Sequence, residues 1–384
     1  MDKSNTINEF IFTRYLYEKE EVEYSFIMTL LNKKEECLFW AYELFHSGFK
    51  KQLIDLFWLI YFDFYATLNP SYENYLLQKL NKKQQLEEKM ISVIVNNFMI
   101  RPSNFDVFIL RKIVNSFEIY NDYTFISKEE IIIDLLIKNN FINISNFILH
   151  LTDDNDILKL YDVCIEYFEN LFKKNNMDNK FKKYKKKELI EKELVTKKHM
   201  LLSRIVGLSS LWNELKMGKS MYVSLKDEDI IMYETVEVDL NCQLNSYSSI
   251  LPARKILELA CLFSIDENNY LSLFSLKREK KNIKESYLNN WLYHASFSPI
   301  WRERLKKYNA IVDYDKKTIV FINDDLEEEF YTNYGLEPDE QKIIIQNKCI
   351  QNLNQENTWL KIISNKKKNS ILEEEDIIDY LEEL

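Results

Sequence analysis

The chain has 384 residues, of which 46% are apolar and 14% aromatic, and its formal net charge is −10. That length suits roughly two domains and that apolar share supplies a core, which excludes wholesale disorder. Only four glycines (Gly48, Gly207, Gly218 and Gly335) and five prolines are present, too few for the many tight turns of a doubly wound sheet or a barrel.

The polar stretch 1–8 is no secretory signal peptide, and no apolar run reaches the length of a membrane span. The nearest approach, 53–64, is too short and carries Asp55 and Asp63, so a buried helix is expected there. The five cysteines (Cys37, Cys164, Cys242, Cys261 and Cys349) are dispersed, odd in number and never spaced C-x-x-C. They read as reduced core thiols in a cytosolic or nuclear compartment rather than as a disulfide framework or a zinc site.

Taken along the chain, the first 170 residues read as consecutive helices. Val22, Phe26, Ile27, Leu30 and Leu31 share one helical face, and Cys37, Leu38, Ala41, Leu44 and Phe45 repeat the spacing. Gly48 is placed to cap that second helix. Leu53, Ile54, Phe57, Trp58, Ile60, Tyr61 and Phe64 make the next helix apolar nearly all round, as befits the middle of a bundle. Pro70 opens a segment with Tyr72, Tyr75, Leu76 and Leu80. Helical patterns follow at 90–100 and 105–117, separated by Arg101-Pro102-Ser103. Ser127-Lys128-Glu129-Glu130 is a capping box ahead of 131–137. Short helices joined by short polar links suggest a HEAT-like α-solenoid or an irregular helical bundle in this half.

Composition changes at 173–200, where eleven lysines face four acids. With no glycine or proline there, an extended helix is expected, and the segment divides the chain. The expected domains are a helical-repeat-like 1–172, the Lys-rich connection 173–200, a mostly helical 201–370 and an acidic amphipathic tail 371–384. In the second half 201–215 is helical, 236–244 alternates with period two, Pro252 sits at a helix start, and 311–321 reads as a small β-hairpin. The fold class is thus mainly α with one small β element.

Candidate chemistry is sparse. Neither G-x-G-x-x-G nor G-x-x-x-x-G-K-[ST] occurs, and Gly218-Lys219-Ser220 lacks the upstream glycine of a phosphate loop and reads as a turn. The histidines (His46, His150, His199 and His294) form no metal-binding pair, and His46 and His150 fall at helix ends. Asp153, Asp154 and Asp156 lack the glycine and closing glutamate of a calcium loop and read as a helix N-cap. No catalytic residue, metal site or cofactor is assigned.

Contact elements are easier to name. Lys182, Lys183, Lys185, Lys186 and Lys187 surround Tyr184, giving positive charge with an aromatic platform of the kind that meets RNA or DNA; a solvated linker is the plainer alternative. Tyr184, Leu189 and Ile190 also match Tyr-x-x-x-x-Leu-apolar, the pattern by which translation scaffolds dock a cap-binding initiation factor. With 24 tyrosines in the chain, one such match is expected by chance. The tail, with Ile371, Leu372, Ile377, Ile378, Tyr380, Leu381 and Leu384 among seven acids, is a second contact element, for a partner or for the chain's own Lys-rich segment. The aromatic stretch 291–301 reads as a packed helix-loop-helix core, with a ligand pocket as the alternative.

Glu36-Cys37-Leu38-Phe39-Trp40-Ala41-Tyr42-Glu43-Leu44, and the span 291–301 continuing to Glu337-Pro338-Asp339-Glu340-Gln341, resemble uncharacterised helical proteins of nucleocytoplasmic large DNA viruses, the giant viruses. The Lys-, Asn- and Ile-rich composition suits such an AT-rich source. The resemblance implies a host-cytoplasmic or viral-factory setting and a role in viral gene expression or assembly; it transfers no site residues. The expected function is a non-enzymatic helical scaffold or adaptor for protein partners, with a translation-initiation scaffold as its sharpest form. The alternatives are a nucleic-acid-binding accessory factor and an enzyme without recognisable motifs.

Overall fold

A computed structural model of the chain describes residues 10–14, 16–34, 36–80, 86–113, 127–177, 194–219, 221–224, 290–334 and 370–372. Thirteen α-helices and one two-stranded antiparallel sheet lie among them. They belong to two compact units, one comprising 1–53, 86–99 and 223–357, the other 54–85, 100–222 and 358–384. Each unit draws residues from both sides of the Lys-rich segment or contains it.

In the first unit α1 (Lys19–Leu31) packs on α2 (Glu36–His46), and α2 on α5 (Glu88–Met99). The Tyr42 hydroxyl donates to the Glu88 carbonyl at 2.8 Å and lies 2.5 Å from the Ser92 hydroxyl, pinning α2 to α5. Buried Arg14 donates through Nε to Glu43 at 2.7 Å, and its amide donates to the Ser47 hydroxyl. The aromatic stretch forms two helices, α11 (Trp291–Ala295) and α12 (Pro299–Lys307), with Pro299 in the first turn of the second, where its missing N–H costs nothing. Trp291, Leu292, Trp301, Leu305 and Tyr308 join Phe12, Leu16, Phe330 and Tyr334 in one core cluster. The Trp301 indole N–H donates to the Thr13 carbonyl at 2.9 Å, so the front of the chain and this distant stretch share a core. The packed helix-loop-helix reading of 291–301 holds.

The expected hairpin is present as β1 (Ile311–Asp313) and β2 (Thr318–Val320), with Ile311 opposite Val320 and Asp313 opposite Thr318. The Asp313 carboxylate accepts from the amides of Asp315 and Lys316, and Lys317 takes a left-handed φ of 54°, which closes the turn. Helix α13 (Asp324–Tyr334) follows.

The second unit holds α3 (Lys50–Ile60) from residue 54 and the π-helix Tyr61–Tyr65 that continues it. It also contains α4 (Tyr72–Lys79), α6 (Asp106–Ile113), α7 (Lys128–Ile137), α8 (Phe141–His150), α9 (Asp154–Lys174) and α10 (Leu194–Trp212). Residues 53–62 are buried at nearly every position, as the all-round apolar pattern requires. The capping box forms, with Ser127 and Glu130 each accepting from the other's backbone, and Asp153 caps α9 through the Asn155 amide. Helix α6 packs on α8, α7 on α8 and α9, and α10 on α8 and α9. Because α10 also packs on α6 and the π-helix, these contacts do not establish a solenoid. The extended helix expected within 173–200 is broken at 175–177, and residues 178–193 lie outside the described residues. Helix α9 ends at Lys174, and Asn176 turns left-handed while the amides of Asn176 and Met177 donate to the carbonyls of Lys173 and Phe172. That closure satisfies the last carbonyls and stops the helix.

The same closure recurs. Gly48, Lys33, Asn139, Asn176, Glu214 and Asn309 all stand at positive φ just beyond a helix, and in each case two amides donate back into the last turn. Only one of the six is glycine. At Gly48 a side chain is excluded twice over: φ is 92°, and an added Cβ would lie 2.5 Å from the Pro299 Cβ. Gly218 is needed for a different reason, since its Cβ would meet Asn69 at 2.1 Å where its amide donates to the Leu68 carbonyl at 2.8 Å. It lies in an irregular segment, 213–219, after α10. The Gly48→Ala variant is expected to lose about 1–3 kcal/mol of stability, whereas Asn309→Gly should gain about 0.5 kcal/mol. Urea denaturation midpoints of the two variants measure both.

Candidate functional site

The most concentrated polar chemistry among the described residues is buried in the second unit. The π-helix widens the end of α3 by one residue, seen in the Ala66 amide donating to the Tyr61 carbonyl, and this places Asp63 inward. Arg111 on α6 grips the Asp63 carboxylate with two parallel bonds, 2.8 Å from Nε and 2.5 Å from Nη2. Its third nitrogen donates to His199 Nε2 on α10 at 3.0 Å, so the imidazole proton sits on Nδ1. All three side chains are closed to solvent. Burial, then the cations Arg111, Lys198 and Lys112, hold His199 well below its ordinary pKa, so the ring is neutral. Burial also raises the Asp63 carboxyl against the pull of Arg111. Lys112, half-buried beside the cluster, is lowered to about 7 by burial and by Arg111.

A second buried pair lies in the same unit, where Arg204 of α10 donates to Glu73 of α4 at 2.6 Å. Arg101 makes a third fixture. Its guanidinium lies 3.9 Å from the Tyr72 ring centre and 5.0 Å from that of Tyr222, and it donates to the Met221 carbonyl at 2.6 Å. These cations weld helices and the segment after α10 together. Closed to solvent, the Asp63–Arg111–His199 cluster meets no ligand from outside and acts on packing.

The surface offers a different feature. Strand alternation gives the hairpin two faces. Val312 and Ile319 pair across the inner one, and Ile319 and Phe321 pack on the core cluster. The outer face carries the Ile311–Val320 pair, 63% and 50% exposed, with Ile322 66% exposed two residues on. Tyr314 at the turn stands with its ring edge-on to Tyr293. Ile322 leads straight into α13, whose exposed Asp324, Asp325, Glu327, Glu328 and Glu329 make the adjoining surface strongly negative. The arrangement is an apolar strip with a negative flank on an element whose other face is partly buried against the core cluster.

The residues singled out from sequence fall elsewhere. Tyr184, Leu189, Ile190, Lys182, Lys183, Lys185, Lys186 and Lys187 lie outside the described residues, as do the period-two stretch 236–244, Pro252 and the tail beyond Leu372. His46 and His150 end their helices as expected; His46 Nε2 lies 3.2 Å from Glu88, and His150 Nδ1 bonds the Asn146 carbonyl. No group of three or more metal-ligating side chains occurs among the described residues, and none of their helices is long and apolar enough to cross a membrane. Sequence reasoning missed the Asp63–Arg111–His199 cluster. Its one local signal was Asp63 within the apolar 53–64 run, but Asp55 in the same run is exposed, so the sequence alone did not mark which acid is buried with a cation.

The cluster sets a sign for stability against pH. The unfolded chain takes a proton on His199 near pH 6.5, and the folded chain does not until well below it. Stability therefore falls on acidification through that window, by up to about 1.4 kcal/mol per pH unit. Asp63 acts in the opposite sense, since its raised carboxyl binds a proton more readily folded than unfolded. The His199→Gln variant, which keeps an acceptor for Arg111, is expected to show a shallower decline below pH 6.5 in pH-resolved urea denaturation; an unchanged slope would place the acid sensitivity elsewhere.

Comparisons with models of known protein families, with curated proteins and with solved structures find no match to this chain.

Proposed function

We propose that this chain is a non-enzymatic helical scaffold that binds another macromolecule. The observation that carries the reading is the outer face of the hairpin. Three aliphatic side chains, Ile311, Val320 and Ile322, stand in water while the inner face of the same element is packed. Exposed aliphatic groups gathered on one small element mark contact surfaces more often than single exposed residues do. The five acids of α13 beside them select a partner that joins apolar with cationic side chains. Within its own unit the hairpin is backed by the core cluster, where Ile319 and Phe321 pack, and the buried Arg14 of that unit is tied to Glu43.

A sharper form, a translation-initiation scaffold of giant-virus type that docks a cap-binding factor through Tyr184, Leu189 and Ile190, is supported by the sequence pattern alone.

Ile311→Asp combined with Val320→Asp alters only outward-facing positions, so the circular dichroism spectrum and melting temperature should stay close to wild type. Affinity for the partner purified from the native cell should fall by more than about tenfold. Equal affinity of the two proteins removes the hairpin from the interface. In the same assay, purified cap-binding factor retained by wild type and lost on Tyr184→Ala supports the sharper form; indifference to that substitution removes it.

A further inference from the structure

Outside the hairpin, an anchor at the start of α6 uses a buried carboxylate to hold a short stretch near the C-terminal end of the sequence. Asp106 is 1% exposed. Its Oδ1 accepts from the Ser370 hydroxyl at 2.5 Å, and its Oδ2 accepts from the Ile371 amide and from Asn104 Nδ2, each at 3.0 Å. Asn104 is fixed in turn, its amide donating to the Phe64 carbonyl at 2.8 Å and its Oδ1 accepting from the Asp106 amide at 2.9 Å. The Ser370 oxygen also accepts from the Leu372 amide at 3.0 Å. Among the described residues, the groups that lower the Asp106 carboxyl against the rise due to burial are neutral hydrogen-bond donors. One hydroxyl therefore sits at the centre of the anchor, donating to a buried carboxylate.

The sequence around that hydroxyl is equally particular. Lys366-Lys367-Lys368 precede it by two to four residues, and Glu373-Glu374-Glu375-Asp376 begin three residues after it. Acidic-directed protein kinases read a carboxylate three residues beyond the acceptor serine, and here four acids follow in succession. Ser103, Ser127 and Ser264 also have an acid three residues on, without such a run, and Ser224 is followed by the shorter run Asp227-Glu228-Asp229.

We propose that Ser370 is a phosphorylation site whose modification opens the Asp106 anchor. The Ser370 hydroxyl oxygen attacks the γ-phosphorus of ATP, the bond from that phosphorus to the bridging oxygen breaks to release ADP, and the hydroxyl proton passes to the kinase's base. The product carries close to two negative charges where a neutral donor had been, within bonding distance of a buried carboxylate. Repulsion and the loss of the donated hydrogen bond act together, so Ser370, Ile371 and Leu372 leave Asp106. Ser370 is half-buried, and the kinase reaches it when this short stretch opens locally.

The full-length chain is incubated with ATP and the acidic-directed kinase casein kinase II, phosphosites are mapped by mass spectrometry, and hydrogen exchange is followed in the peptide containing Ile371 and Leu372. The expected result is phosphate on Ser370, absent in Ser370→Ala, with exchange in that peptide faster by more than about tenfold. Ser370→Glu should reproduce the faster exchange without kinase. Phosphate at other serines but none at Ser370, or no phosphate at all, would overturn the assignment of the site. Phosphate on Ser370 with unchanged exchange would overturn the opening of the anchor.

Discussion

A guanidinium placed at the centre of a helical unit must be neutralised where it sits, because leaving it alone in a low-dielectric interior costs several kcal/mol. In the second unit that requirement falls on Arg111, and the answer shapes its surroundings. The carboxylate comes from Asp63, in the π-helix at the end of α3; the remaining donor is taken by a neutral His199 on α10. Three elements distant in sequence are thereby fixed in register by groups that cannot exchange partners with water. Arg204 with Glu73 and Arg101 with Tyr72 repeat the solution with other partners.

The helices themselves were legible because their causes are local. The capping box at Ser127, the N-cap at Asp153, the Gly48 closure and the aliphatic faces of α1, α2 and α5 all depend on residues within a few positions of one another. The hairpin at 311–320 was legible for the same reason. Pairings were not. Nothing near Asp63 names Arg111 as its partner, and nothing near Thr13 names Trp301. Such contacts are settled by tertiary packing, which periodicity does not encode. The break at 175–177 was missed because an asparagine in the left-handed region does the work for which a glycine was sought.

The outer face of the hairpin shows a similar limit. Alternation along 311–320 divides the side chains into two sets but does not say which set meets the core. Both sets are rich in aliphatic residues, so the exposed one is identified only once Ile319 and Phe321 are seen against the core cluster. The Ser370 anchor was equally hidden, since its acceptor lies 264 positions away in sequence.

The bond from Trp301 to Thr13 has a bearing on how the protein is made. Phe12 and Leu16 share a core cluster with residues drawn from 291–334, and the bond itself spans 288 positions. At ordinary rates of synthesis roughly 15–60 s pass between the two segments leaving the ribosome. During that interval Arg14 and Tyr17 can already meet Glu43, Ser47, Phe39 and Trp40, while the sides of Phe12 and Leu16 that face 291–334 wait uncovered. Completion of this core cluster is thus timed by translation of the rear.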